Sequence, residues 1–401
     1  VTTLEKQKKT PAGLYPRLLL LAASLFVVAT NGFVIAGLLP DIADTLGVHV
    51  ADVGYAITYY AVVVAIASPA VAILFARRSR TALMVVGIAI VFVGMIVAAA
   101  APSLPVFILG RVIAGLGGAA VVPVATVTAT ALAPEGHRGR AIGFVMAGFT
   151  AATAFGAPAG TALAAAGGWR APLFAIAGLA FVVGVLIAIL IRRVPIDAAV
   201  SLGKRFGVLA NRHLVLAILT STLVVAGLQV VYIFSSSVLH DAINGDGSLL
   251  AVLLFAYGVA GLFGNSLGGQ LVDRIGPRRV SFIFLGAVVL VLAAMPFVAV
   301  TFPGAVVVFA VWGFASSAAV PAVQYRLITI DPSVAGIALS WNSTALYLGI
   351  AVAPLLGAAA LHSGGASSVP IVGAIAILAA LTLFQLSWLG GRRDPLADLT
   401  T

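Results

Sequence analysis

Residues 82–101 read ALMVVGIAIVFVGMIVAAAA, twenty in a row with no charge, no hydrogen-bonding side chain and no proline. An α-helix of that length rises about 30 Å, the thickness of a bilayer's hydrocarbon core. In lipid the backbone must satisfy its own N–H and C=O groups. An unbroken run does so as a helix, whereas a barrel strand would alternate over ~10 residues. The rest of the chain follows the same pattern. Hydrophobic residues make up 62% of its 401 and charged residues 8%. Soluble domains run at about 45–50% and ~25%. A chain this apolar cannot cover itself with polar groups in water, so the fold class is all-α and membrane-embedded.

Twelve spans are expected, near 17–39, 53–75, 81–101, 105–132, 141–166, 172–191, 213–236, 248–271, 280–301, 304–326, 336–361 and 368–389. They divide the chain into a tail (1–16), a six-helix bundle (17–191), a central loop (192–212), a second six-helix bundle (213–389) and a closing tail (390–401). The polar, basic residues through Arg17 precede a run longer than a signal-peptide core, which reads as a retained first span.

Charge placement orients the bundle. All but two of the 22 Lys and Arg fall in the tails and in alternate connections on one side, among them Arg77, Arg78, Arg80, Arg138, Arg140, Arg274 and Arg326. The exceptions are Arg170, on the other side, and Arg111, inside a span. Basic loops stay in the cytoplasm, so both termini are expected there, in a multi-pass protein of the inner (plasma) membrane. The net charge of +10 therefore reads as topology and not as a nucleic-acid surface. With no cysteine, disulfides, thiol catalysis and thiolate metal sites are excluded. No cofactor is expected: the sequence shows no phosphate loop, no nucleophile–base pair and no metal cluster.

The halves repeat. At an offset near 198, Pro123 and Pro134 fall on Pro321 and Pro332; at nearly the same offset Arg80 falls on Arg279, and Ala157-Pro158 on Ala353-Pro354. Parallel repeats of this kind carry a pseudo-two-fold axis along the membrane normal and place a substrate site between the halves near the midplane.

Four stretches then resemble a known family. Gly268-Gly269-Gln270-Leu271-Val272-Asp273-Arg274-Ile275-Gly276-Pro277-Arg278-Arg279 looks like the cytoplasmic loop motif of the major facilitator superfamily, in its second-half copy. In the resemblance Asp273, Arg274, Gly276, Arg278 and Arg279 form a conformational latch. The first-half copy keeps the basic residues but has Leu74 where Asp273 would correspond. Gly110-Arg111 through Gly117-Gly118 resembles the fourth-span motif with its buried arginine. Gly156, Pro158 and Gly160 resemble the fifth-span motif of antiporters, with Ala157 in place of the usual glycine. Gln324-Tyr325-Arg326, Ser340-Trp341-Asn342 and Leu38-Leu39-Pro40-Asp41 are similar to the twelve-span drug:proton antiporter branch, among bacterial efflux members grouped with sugar and chloramphenicol exporters. The resemblance covers about residues 15–390 and implies two pseudo-symmetric six-helix bundles that export a small molecule, a drug, antibiotic or sugar-like metabolite, by proton antiport, as a monomer in contact with lipid.

The residues qualify that expectation. Exporters of the branch often carry a carboxylate in span one, but here the stretch is Thr30-Asn31-Gly32-Phe33, and no Asp or Glu falls mid-span anywhere. A proton relay needs a titrating group, so coupling rests on the resemblance, and uptake or facilitated diffusion is the competing reading. The substrate cavity is expected to be lined by neutral polar groups: Asn31, Tyr59, Tyr60 and Gln229. Tyr232, Gln324, Asn342 and Tyr347 complete the set, with Arg111 able to admit an anion. Such a lining favours neutral, hydrogen-bonding or weakly amphiphilic molecules, although helices in lipid also use these side chains to bond to one another.

Overall fold

The computed structural model describes residues 14–75, 78–134, 137–191, 194 and 206–388; Lys6, Lys8, Lys9, Arg77, Arg192, Arg193, Lys204, Arg205, Arg392 and Arg393 lie outside them. Among the described residues there is no strand. Twelve helical stretches are long and apolar enough to cross a membrane. The first six are Leu14–Leu46, Val50–Val71, Arg80–Ala99, Leu104–Leu132, Arg140–Gly167 and Arg170–Leu190. The second six are Arg212–Ile233, Gly247–Ile275, Pro277–Val298, Phe302–Ile330, Pro332–Gly364 and Ser368–Leu386. They are called spans 1 to 12.

The ends have local causes. Asn211 accepts from the N–H groups of His213 and Leu214, and Asp246 from Ser248, so each caps the helix it precedes. Gly47 at φ 65° and Gly276 at φ 82° end the first and eighth spans in a backbone region that costs glycine nothing. Span 1 runs further than the expected 39: its helix is interrupted at Val34 alone and continues as Ile35–Leu46. Span 10 runs to Ile330 and so encloses Arg326. Span 5 contains a π-helical turn, Ala152–Gly156, just before Pro158. Proline cannot donate to the helix ladder, and a π-bulge absorbs the mismatch.

Packing follows a six-span shift. Spans 3 and 4 pack closely, as do 9 and 10; 2 against 4 matches 8 against 10; 1 against 5 matches 7 against 11; 3 against 6 matches 9 against 12. Between the halves the main contacts are 2 against 11 and 5 against 8, which exchange under the same shift. Glycines permit the closest approaches. A Cβ on Gly94 would stand 2.8 Å from the Ala114 Cα, and one on Gly227 2.8 Å from the Gly373 carbonyl oxygen. Small residues are what membrane helices use where backbones meet.

Two arginines read as loop residues belong to the bundle. Arg80 opens span 3, is buried, and donates to the Val127 carbonyl at 3.4 Å. Arg326 is buried near the end of span 10, where its Nε donates to Ser387 Oγ at 3.2 Å, its Nη2 to the Ser387 carbonyl, and its guanidinium stacks on Trp388 at 4.0 Å. His213 Nδ1 meets the same carbonyl at 3.1 Å, so one backbone oxygen ties spans 7, 10 and 12 together. Long side chains at helix ends find such carbonyls because the last turn leaves them unpaired.

Candidate functional site

Two adjoining cavities lie between the halves, at mid-depth of the spans that line them. The first spans about 420 Å³ of empty space, part of it open, yet is so narrow that little more than one water fits. Span 1 lines it with Val28 and Phe33, span 2 with Ile57 and Tyr60, span 11 with Tyr347. The second, about 730 Å³, takes Thr150 and Thr153 from span 5, Tyr257 from span 8 and Ser317 from span 10. On span 7 it uses Val225 and Leu228 where the first uses Ile233, and on span 5 Thr150 and Thr153 where the first uses Phe149. Four residues line both: Phe33, Gln229, Tyr232 and Ile350. Among the described residues, no charged residue and no histidine lines either.

Toward the side away from the basic loops the halves close on each other. Thr58 Oγ1 donates to the Ala351 carbonyl at 2.9 Å. Gly54 faces Phe234, at 3.3 Å from where its Cβ would be, and Pro354 at 3.7 Å. Phe155 and Phe255 meet at 5.8 Å, and at the level of the second cavity Gly258 lies against the π-turn at Thr153 and Ala154. These contacts all join one half to the other.

The expected cavity residues separate into three groups. Tyr60, Gln229, Tyr232 and Tyr347 line the cavities. Asn31 and Arg111 sit behind them. Both are 0% exposed; Arg111 Nη1 donates to the Asn31 carbonyl at 3.0 Å and also to Asn31 Oδ1, and the guanidinium stacks on the Tyr60 ring at 4.5 Å. Its Nε and Nη2 have no partner. Tyr60 lines the first cavity and stacks on the guanidinium, while Arg111 itself lines neither cavity. The third group lines neither cavity: Tyr59 is 50% exposed, Gln324 is exposed, and Asn342 is half-buried. Tyr59 precedes Tyr60 and lies about 100° from it around the helix, so only one of the pair can face inward.

Sequence reasoning missed the aromatic wall. Phe149, Phe33, Tyr232 and Tyr257 run across the interface with centroids 5.7, 6.0 and 5.5 Å apart, and Trp312 lies 4.5 Å beyond Tyr257. In a chain rich in apolar residues, rings facing lipid, core and cavity look alike in sequence.

The conformational residues are placed as follows. Gly156 and Gly160 face Thr30 and Val34 on span 1, and Pro158 is buried beside them. Asp273 is exposed and has no ion pair among the described residues. Arg274 and Arg279 are exposed, and Arg278 Nε donates to Gln385 Oε1 on span 12 at 2.7 Å. Gly276 turns the chain between spans 8 and 9. Among the described residues no cluster of His, Cys, Asp or Glu is suited to a metal.

Comparison with known proteins accords with this geometry. The sequence profile of the Major Facilitator Superfamily matches residues 21–332. The chain is 31% identical over 376 residues to the uncharacterized MFS-type transporter YbcL of Bacillus subtilis, covering 92% of this chain and 96% of that one. It is 30% identical over 360 residues to a chloramphenicol resistance protein of Streptomyces lividans, covering 87% and 90%. In fold it matches the inward-facing, occupied structure of a bacterial homolog of the human lysosomal transporter Spinster, with TM-score 0.76 at 16% identity over 94% of this chain and 98% of the other.

Proposed function

From the premise that the chain belongs to the Major Facilitator Superfamily, we propose that it exports a small, uncharged organic molecule across the cytoplasmic membrane by alternating access, in exchange for protons. The observation that carries the reading is the pair of cavities between the halves, lined from both and free of formal charge. A charged ligand there would be desolvated with nothing to pair it. With the basic side in the cytoplasm, the sealed side is the outer one, and the cavities belong to the inward-facing member of the cycle. Small residues and Pro158 in span 5, beside the seam with span 8, support the exchange of one closed seam for another. Export is supported by the fifth-span pattern and by the relative named for chloramphenicol resistance.

A second reading, facilitated diffusion without proton coupling, is favoured by one observation: no acidic residue lines either cavity. Proteoliposomes loaded with a labelled uncharged compound separate the two. Under exchange, an imposed pH gradient drives the compound against its own gradient, whereas equilibration alone at every pH gradient assigns the uncoupled mechanism. Absence of any movement overturns both.

A further inference from the structure

We propose that the ring pair Phe33 and Tyr232 is the substrate-reading element of this protein: it holds an uncharged molecule with a flat aromatic ring, and the Tyr232 hydroxyl donates to an acceptor on that molecule. The inference rests on the transport reading above and adds the substrate class to it.

Three observations converge on the pair. First, Phe33, Gln229, Tyr232 and Ile350 line both cavities, so they form the partition between them. Phe33 comes from the first half and Tyr232 from the second, edge to face at 6.0 Å and 77°. A ring that entered the partition would touch both halves at once and would find Phe149 and Tyr257 as further aromatic surface. Aromatic rings favour such edge and offset contacts beyond the area they bury.

Second, Tyr232 is 1% exposed and its hydroxyl has no hydrogen-bond partner. Two other tyrosines of the lining are occupied: Tyr257 accepts from Ser316 Oγ at 3.4 Å, and Tyr60 donates to the Val28 carbonyl at 3.5 Å. A buried donor left unpaired is costly, and an acceptor on the ligand removes that cost.

Third, the rest of the lining fits this class better than the alternatives. Thr150 and Thr153 donate to carbonyls of their own helix, those of Met146 and Phe149. Gln229, Tyr347 and Ser317 complete the polar lining, in walls otherwise apolar and aromatic. A permanent cation would find no carboxylate in the lining.

The test is equilibrium binding to the purified full chain, by calorimetry, of chloramphenicol (an uncharged nitroaryl amide), methyl galactoside and tetraphenylphosphonium. Chloramphenicol is expected to bind at least about tenfold more tightly than the other two. Tyr232→Phe keeps the ring and removes the donor; it is expected to weaken chloramphenicol binding about five- to tenfold, the worth of one hydrogen bond, without lowering the thermal midpoint. Phe33→Leu, which keeps an apolar side chain and loses the ring, is expected to weaken the same affinity and keeps the test open should the tyrosine variant misfold. Tighter binding of the sugar or the cation, no binding of chloramphenicol, or wild-type affinity in Tyr232→Phe each overturns the proposal. Transport assays keep the two readings apart. The expected binding pattern without vectorial movement in proteoliposomes defeats export and leaves this site standing. Movement of galactoside that Tyr232→Phe does not alter defeats this site and leaves transport standing.

Discussion

Arg111 is 0% exposed, and only one of its guanidinium nitrogens is hydrogen-bonded, to two oxygens of Asn31. A charge at that depth is expensive; the Tyr60 face at 4.5 Å returns part of the cost, on the order of 2 kcal/mol for a desolvated cation–π contact. The arrangement depends on shape as well as charge. A planar guanidinium stacks and bonds in its own plane together, which an ammonium cannot do. Arg111→Lys is therefore expected to lose transport by at least about tenfold at matched expression, since Tyr60 would lose the surface it packs on and the first cavity one wall. Wild-type rates in the lysine variant would show that the charge alone suffices. Much of this cluster was legible from sequence: Asn31 and Arg111 stand out because an apolar run makes polar residues conspicuous. Their pairing was not, because they lie 80 positions apart. Nor was the choice between Tyr59 and Tyr60, since span 2 is apolar on every side and offers no polar stripe to fix its rotation.

Helix existence was written in the apolar runs, and the observed ends lie within a few residues of the expected ones for most spans. The exceptions have physical reasons. Span 10 continues past Arg326, and Arg80 lies inside span 3, because each arginine reaches a carbonyl or hydroxyl of a neighbouring helix and can be buried there. Hydropathy alone treats any arginine as a terminator. The glycines carry a second layer of information that only structure reads out. Gly94 in span 3 faces span 4 so closely that a Cβ would meet the Gly110 carbonyl oxygen at 2.7 Å and the Ala114 Cα at 2.8 Å. Gly286 in span 9 has nothing within 4 Å. Gly94→Val is expected to push the two helices apart and destabilise the fold by about 1–3 kcal/mol or more. Gly286→Ala is expected to be neutral or to stabilise by up to about 1 kcal/mol, since alanine is the better helix former. Thermal midpoints of the two purified variants check this, and equal midpoints would contradict the assigned close approach.

At the scale of the molecule the question is which seam opens. The chain has no cysteine, so single introduced thiols report cleanly. Asp241→Cys lies in the exposed connection before span 8 and Ser333→Cys in the exposed 3-10 turn that opens span 11, on opposite sides of the bundle. With the basic side in the cytoplasm, a membrane-impermeant maleimide is expected to label the first in intact cells and the second only after permeabilisation; the reverse pattern would invert the orientation. The same chemistry follows the cycle. Gly54 in span 2 lies opposite Phe234 and Pro354 of the other half, at 3.3 and 3.7 Å from a Cβ that glycine lacks. That Cβ would already be tight against Phe234, and a valine adds two carbons beyond it, so Gly54→Val is expected to penalise the sealed state. A two-state protein responds by shifting population, tenfold for each ~1.4 kcal/mol of differential cost. Thr58 lies one turn further along the same seam, bonded to the Ala351 carbonyl. Thr58→Cys is thus expected to label from outside at least about tenfold faster when combined with Gly54→Val than when Gly54 is kept, given an overpacking cost of about 1–3 kcal/mol. Equal labelling rates would mean that the Gly54 contact persists through the cycle, and that the seam between spans 2 and 11 is a hinge instead of a gate.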